Sequence, residues 1–177
     1  YVPGGCVLDC TGKTCGDDGC GGSCGTCLSG QNCISGSCIL LTGNYRYVRT
    51  DATGTNNGSD WTNAYTTLPA TLLRNYTYYI ADGNYTSYIF DDAVSGTQYI
   101  TIKKAISSNH GTDYGWNNVY GDGQAVFENL TFSSSYWIFD GTNRINLGSG
   151  YGFKIKHNTS GNKCIRLSNT LQNMTFR

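Results

Sequence analysis

From residue 45 onward, apolar and polar side chains alternate with a period of two in short bursts, the mark of strands that bury one face. Tyr45-Arg46-Tyr47-Val48-Arg49 is the first such burst. It is followed by Tyr78-Tyr79-Ile80-Ala81, Tyr99-Ile100-Thr101-Ile102-Lys103, Asn129-Leu130-Thr131-Phe132 and Tyr136-Trp137-Ile138-Phe139. Phe153-Lys154-Ile155-Lys156, Ile165-Arg166-Leu167 and Met174-Thr175-Phe176 complete the series. The alternation predicts one continuous interior for Ile100, Ile102, Leu130, Phe132, Trp137, Phe139, Phe153, Ile155, Ile165 and Leu167. It turns Lys103, Lys154, Lys156 and Arg166 outward. The connecting loops vary in length and lack the Asn-Gly hairpin turns of an antiparallel meander, which suggests successive coils of a solenoid. Residues 60–73 break the pattern. Trp61, Ala64, Tyr65, Leu68 and Leu72 recur at the spacing of one helical face behind an Asp60 N-cap. The expectation is a short capping helix, broken where Pro69 opens its second half.

Ahead of these strands the texture differs. Eight of nine cysteines, Cys6, Cys10, Cys15, Cys20, Cys24, Cys27, Cys33 and Cys38, fall in one glycine-punctuated stretch that ends where Ile39-Leu40-Leu41 begins. So short a segment has little else with which to build a core, and the even count favours four disulfides, whose pairing is left open. Cys24 and Cys27 form a C-x-x-C pair, the alternative being a zinc site. Zinc ribbons pair two such motifs, however, and the segment has neither a second one nor a histidine, so no metal and no cofactor is expected. The reading is a disulfide-rich module over 1–40 and a second domain over 41–177. Disulfides at this density persist in oxidising surroundings, which points to an extracellular or cell-surface location. The ninth cysteine, Cys164, is expected to be a buried, unreactive thiol.

Composition narrows the partners. Twelve basic residues balance twelve acidic ones, so no net field draws the chain to nucleic acid or an anionic membrane. Twenty-four glycines and fourteen tyrosines are the palette of strands and polar turns, and no apolar run reaches membrane-spanning length. The chain opens on Tyr1 without a signal peptide, as a processed or trimmed protein would.

The order GTNNGSDWTNAY, YYIADGNY, YITIKKA and YWIFDG resembles the N-terminal cap and first coils of right-handed parallel β-helix proteins of the pectin-lyase-like fold. The resemblance covers about residues 45 to 177 and implies an all-β, right-handed parallel β-helix whose capping helix lays Trp61 and Leu72 over the first coil. GKTCGDDGCGGSCGTC is similar to a small cysteine-rich module of secreted and surface proteins, for which no activity carries over.

Many relatives of that fold cleave acidic polysaccharides with paired aspartates, or with calcium and a basic residue. The candidates here are Asp91, Asp92, Asp113, Asp122 and Asp140 with His110 and His157. Asp82 and Asp140 precede glycine, ordinary turn chemistry, and no catalytic sequence of those hydrolases is assembled, so no catalytic residue is expected. Lys103, Lys154, Lys156 and Arg166 would form a modest basic stripe for an acidic glycan if stacked, and Tyr76, Tyr78, Tyr85 and Tyr88 are candidates to stack on sugar rings. Asn57, Asn75, Asn84, Asn129, Asn158 and Asn173 head six N-glycosylation motifs, all expected in loops or at outward strand positions. The reading is a non-enzymatic, glycosylated extracellular structural or adhesive protein. Head-to-tail self-assembly is expected through Met174 and Phe176 on an uncovered last coil and Tyr1, Val2 and Pro3 of a neighbour. The alternative is a carbohydrate-active or polysaccharide-binding β-helix protein.

Overall fold

Short alternating segments can bury their apolar faces only by stacking on one another, and they do so here. The structure, a computed structural model, describes residues 6–28, 30–40, 42–141, 151–156, 163–168 and 170–177. Its strands are β1 (Gln31–Ile34), β2 (Ser37–Leu40), β3 (Tyr45–Val48), β4 (Thr77–Ile80), β5 (Gly83–Tyr85), β6 (Tyr88–Phe90) and β7 (Ile100–Lys104). Then come β8 (Ala125–Phe127), β9 (Leu130–Phe132), β10 (Trp137–Asp140), β11 (Phe153–Ile155), β12 (Ile165–Leu167) and β13 (Met174–Phe176). A first sheet has the order β3-β4-β7-β10-β13, a second β5-β8-β11 and a third β6-β9-β12. Every pairing within these three sheets is parallel. Because β4, β5 and β6 visit the three sheets in turn and β7, β8 and β9 repeat the circuit, the chain winds around a common core in a β-helix-like arrangement.

The register superposes like on like. Tyr78, Ile102 and Phe139 form one interior column, Tyr85 and Phe127 a second, Phe90 and Phe132 a third. All seven are buried, and each large apolar side chain so placed contributes about 1.5–3 kcal/mol. Ile165 and Leu167 hold the expected register over Leu130 and Phe132 but are 40% and 56% exposed, so they do not share the enclosed interior. Phe153 and Ile155 are half-buried against it. The corner entering the first sheet places Asn75, Tyr136 and Asn173 at left-handed φ of 64°, 66° and 54°, a conformation that asparagine tolerates better than most residues.

No capping helix is present, which corrects the expectation for residues 60–73. Among the described residues the only helical element is the 3-10 turn Asn118–Tyr120. Asp60 does accept the Asn63 amide at 2.8 Å, as an N-cap would. The chain then leaves the helical path, because the open edge of β3 offers better partners. Tyr65 N donates to Tyr47 O at 2.9 Å, Arg49 N to Tyr65 O at 2.8 Å, and Tyr47 N to Gly58 O at 3.1 Å, which seals that edge. Thr66, Thr67 and Thr71 are weak helix formers and Pro69 has no amide to give, so the helix had little to set against these bonds. Leu68 and Leu72 still close the core. Trp61 does not lie over the first coil: it packs outside the first sheet with Tyr47, Ala64 and Tyr79.

Arg74 ties the coils together from the opposite corner. Its guanidinium donates to the carbonyls of Asp92 and Ala93 and to those of Ser135 and Tyr136, and its carbon stands 4.9 Å from the Trp137 ring centroid.

The cysteine segment is joined by four bridges, Cys6–Cys20, Cys10–Cys24, Cys15–Cys33 and Cys27–Cys38. Strands β1 and β2 form a hairpin in it, closed by Ser35 and Gly36 at positive φ, as a two-residue turn between twisted strands requires. The hairpin docks on the loop after β7. Thr112 Oγ1 donates to Gln31 O at 2.8 Å, Asp113 N to Asn32 Oδ1 at 2.9 Å, and Cys33 N to Asp113 Oδ2.

Candidate functional site

The acidic residues that the sequence offers as catalytic candidates are mostly engaged in holding the fold. Asp92 Oδ1 accepts the Leu72 amide at 2.7 Å, and burial pushes its carboxyl above the usual range. Asp113 holds the cysteine hairpin and stands 3.1 Å from His110 Nε2. Asp140 pairs with Arg177 at 3.2 Å and Lys103 at 3.8 Å. Asp91 is exposed beside Asp92, and His157 lies outside the described residues. His110 packs edge-on against Trp116 at 4.2 Å, and burial lowers it to about 4, with Asp113 opposing the shift. Asp82 and Asp122 are neighbours at the corner between the first and second sheets, where burial chiefly, and Asp122 to a lesser degree, raise Asp82; its carboxylate is held by the Gly123 amide and Lys104.

The tyrosines expected to meet sugars face inward. Tyr78 accepts the Leu73 amide, Tyr85 donates to Ala81 O, and Tyr88 donates to Pro69 O. Tyr76 packs against the core with Arg46 over its ring. The basic stripe is dispersed as well: Lys103 lies on the first sheet, Lys154 with Lys156 on or beside the second, and Arg166 on the third.

What the winding does assemble is a cleft of about 390 Å³ on the outer side of the second sheet, lined by Asn84, Tyr85, Thr86, Val126, Phe127, Glu128 and Lys156. Strand register explains it. Tyr85 pairs with Phe127 and Phe127 with Ile155, so the following residues Thr86, Glu128 and Lys156 leave three successive coils at matching positions. The alternation places Asn84, Val126 and Lys154 in one outward row beside them. The cleft therefore runs along the solenoid axis, with an apolar strip at Val126 between hydrogen-bonding and charged groups. Sequence reading missed Thr86, Val126 and Glu128 because β5 and β8 are only three residues long. The signal available was the recurrence of Asn84-x-Thr86, Val126-x-Glu128 and Lys154-x-Lys156.

The glycosylation motifs are unequal. Asn57 and Asn84 are exposed; Asn129 is half-buried and its amide donates to Ser87 Oγ at 3.4 Å. Asn75 and Asn173 occupy the left-handed corner, which gives asparagine a conformational reason to be there. Asn158 lies outside the described residues, as do Tyr1, Val2 and Pro3. Met174 packs against the core, while Phe176 is 44% exposed, its ring edge-on to Phe132 at 5.1 Å. Cys164 is exposed, against the expectation of a buried thiol; among the described residues the strand that follows it, β12, pairs with β9 alone.

The sulfurs of Cys15, Cys27 and Cys38 lie within 4.8 Å of one another, a spacing that would suit a metal, but each is bonded in a disulfide and so offers no thiolate. Among the described residues no helix is long and apolar enough to cross a membrane. No protein-family model matches the chain, and neither a curated protein nor a solved structure does.

Proposed function

We propose that the protein is a non-enzymatic extracellular adhesive protein that holds a polysaccharide chain along the outer cleft of its second sheet, on a scaffold of the pectin-lyase-like kind. The observation that carries this reading is the cleft itself, which crosses successive coils and combines the Val126 strip with Asn84, Thr86, Glu128 and Lys156. Such a lining suits the apolar faces and hydroxyl edges of pyranose rings, and Lys156 favours a uronate-bearing polymer. Holding rather than cleaving is favoured because, among the described residues, Glu128 is the one carboxylate in the lining, whereas hydrolysis of a glycosidic bond needs two. The disulfide density supports an oxidising, extracellular setting.

Affinity electrophoresis through gels containing polygalacturonate, alginate or a neutral glucan tests it. Retardation by the uronate polymers is expected, weakened by Lys156→Glu and Val126→Asp, with no new reducing ends or unsaturated products. Release of oligosaccharides, or equal mobility in all gels, would overturn the reading.

End-to-end self-association is the second reading, and the exposure of Ile165, Leu167 and Phe176 over the core favours it. A concentration-dependent rise in sedimentation rate, abolished by Phe176→Asp, is its signature.

A further inference from the structure

At the corner between the first and second sheets, Lys104 follows the alternation inward after Ile100 and Ile102 and is completely buried. Room for it is made by Gly152, where a Cβ would stand 2.5 Å from Lys104 Cγ. Its Nζ lies 2.6 Å from Asp82 Oδ1, yet that buried oxygen has no aligned hydrogen bond. The Gly123 amide donates to the other oxygen, Asp82 Oδ2, Lys104 Nζ also donates to Ala105 O at 2.5 Å, and the nearby Asp122 carboxyl helps to raise Asp82. Lys104 belongs to β7 and Asp82 follows β4, so the pair spans two adjacent coils.

We propose that Lys104 and Asp82 condense into an amide crosslink that joins these two coils covalently. A buried ammonium–carboxylate pair lowers its desolvation cost when the proton passes from nitrogen to oxygen, which leaves a free amine facing a carboxylic acid, the reactive form of each. Burial shifts both groups in that direction, raising Asp82 and lowering Lys104. The Nζ lone pair then attacks Asp82 Cγ. Charge developing on Oδ2 is held by the Gly123 N–H, placed as an oxyanion donor. Asp122 takes the proton released by nitrogen and returns it to the departing Oδ1, which leaves as water. One C–N bond forms, one C–O bond breaks, and no oxidant or co-reactant is needed. Fixed proximity replaces the encounter that makes this condensation negligible in solution.

Mass spectrometry of the reduced, alkylated full chain decides the matter. The expected mass is one water below the sum of the residues, and trypsin should release Asn75–Lys103 joined to Lys104–Arg144 as a branched species. Cyclisation of Asp82 onto Gly83 also loses water, so the branched peptide is the criterion rather than mass alone. Lys104→Met and Asp82→Ala should abolish the link; Asp122→Ala should slow its appearance in a chain whose circular dichroism matches the wild type. A wild-type chain in which trypsin cuts after Lys104, giving Asn75–Lys103 unlinked and Ala105–Arg144, would overturn the proposal and leave Lys104 and Asp82 as an ion pair only.

Discussion

Phe90 and Phe132 stack across adjacent coils with ring centroids 4.4 Å apart and planes 12° from parallel. Parallel in-register winding puts each interior residue above its counterpart one coil earlier, so aromatic columns hold the coils in line. Replacing Phe132 by alanine should cost about 3–5 kcal/mol, because rings on both sides lose their partner. Lys154→Asp, at an outward position, should stay within about 0.5 kcal/mol. Equilibrium urea unfolding of the two variants checks the register: equal losses would show it to be wrong.

Arg74 offers a second test of how coils are tied. Arg74→Ala strands four carbonyls near Trp137, and a loss of about 3 kcal/mol or more is expected. Lysine at this position lacks the planar fork that reaches several carbonyls at once, so Arg74→Lys should recover little. The measurement is thermal unfolding of both variants beside the wild type.

His110 sets a pH dependence. Its folded value of about 4 lies below the ordinary 6.5, so the neutral form contributes stability in full above pH 6.5, and this contribution is lost as pH falls towards 4. Asp113 is the acid in contact with it, and the docked hairpin hangs on that carboxylate. Melting temperature should therefore fall between these pH values, and the slope should flatten in His110→Gln. An identical slope in the variant would assign the effect elsewhere.

Peptide mapping without reduction should return Cys6–Cys20, Cys10–Cys24, Cys15–Cys33 and Cys27–Cys38, with Cys164 free for alkylation in the folded chain. Removing Cys15 and Cys33 together should cost about 2–4 kcal/mol in the module.

In a eukaryotic secretory host, Asn57 and Asn84 should carry glycans and Asn129 should not, since the first two side chains are exposed while Asn129 is half-buried with its amide donating to Ser87. Site-by-site glycopeptide analysis reads this out. A glycan on Asn84 would also lie in the second-sheet cleft, so enzymatic deglycosylation should raise polysaccharide retardation.

Much of the architecture was legible because period two survives in any strand long enough to show it: Ile100-Thr101-Ile102 and Trp137-Ile138-Phe139 announce their buried faces outright. The three-residue strands Gly83–Tyr85 and Ala125–Phe127 are too short to do so, and with them the cleft went unread. Residues 60–73 misled for a different reason. Their helical spacing is real, but a local pattern carries no information about the unpaired edge of β3 that competes for the same backbone. The alternation stopped one residue short at Lys103; carried on to Lys104, it places a lysine in the interior. Turn chemistry was likewise half right. Asp82 does sit at a bend before glycine, yet the lysine that meets it comes from the next coil, twenty-two residues away.

The docked hairpin gives the molecule an optical readout of its own redox state. Cys33, half of a disulfide, donates its amide to Asp113; Asp113 contacts His110; and the His110 ring stands against the Trp116 indole. Docked, that imidazole is kept neutral in mild acid by burial. Loosening the hairpin by reduction should let water reach the half-buried indole, so tryptophan emission should shift to the red as the bridge opens, a signal that needs no label.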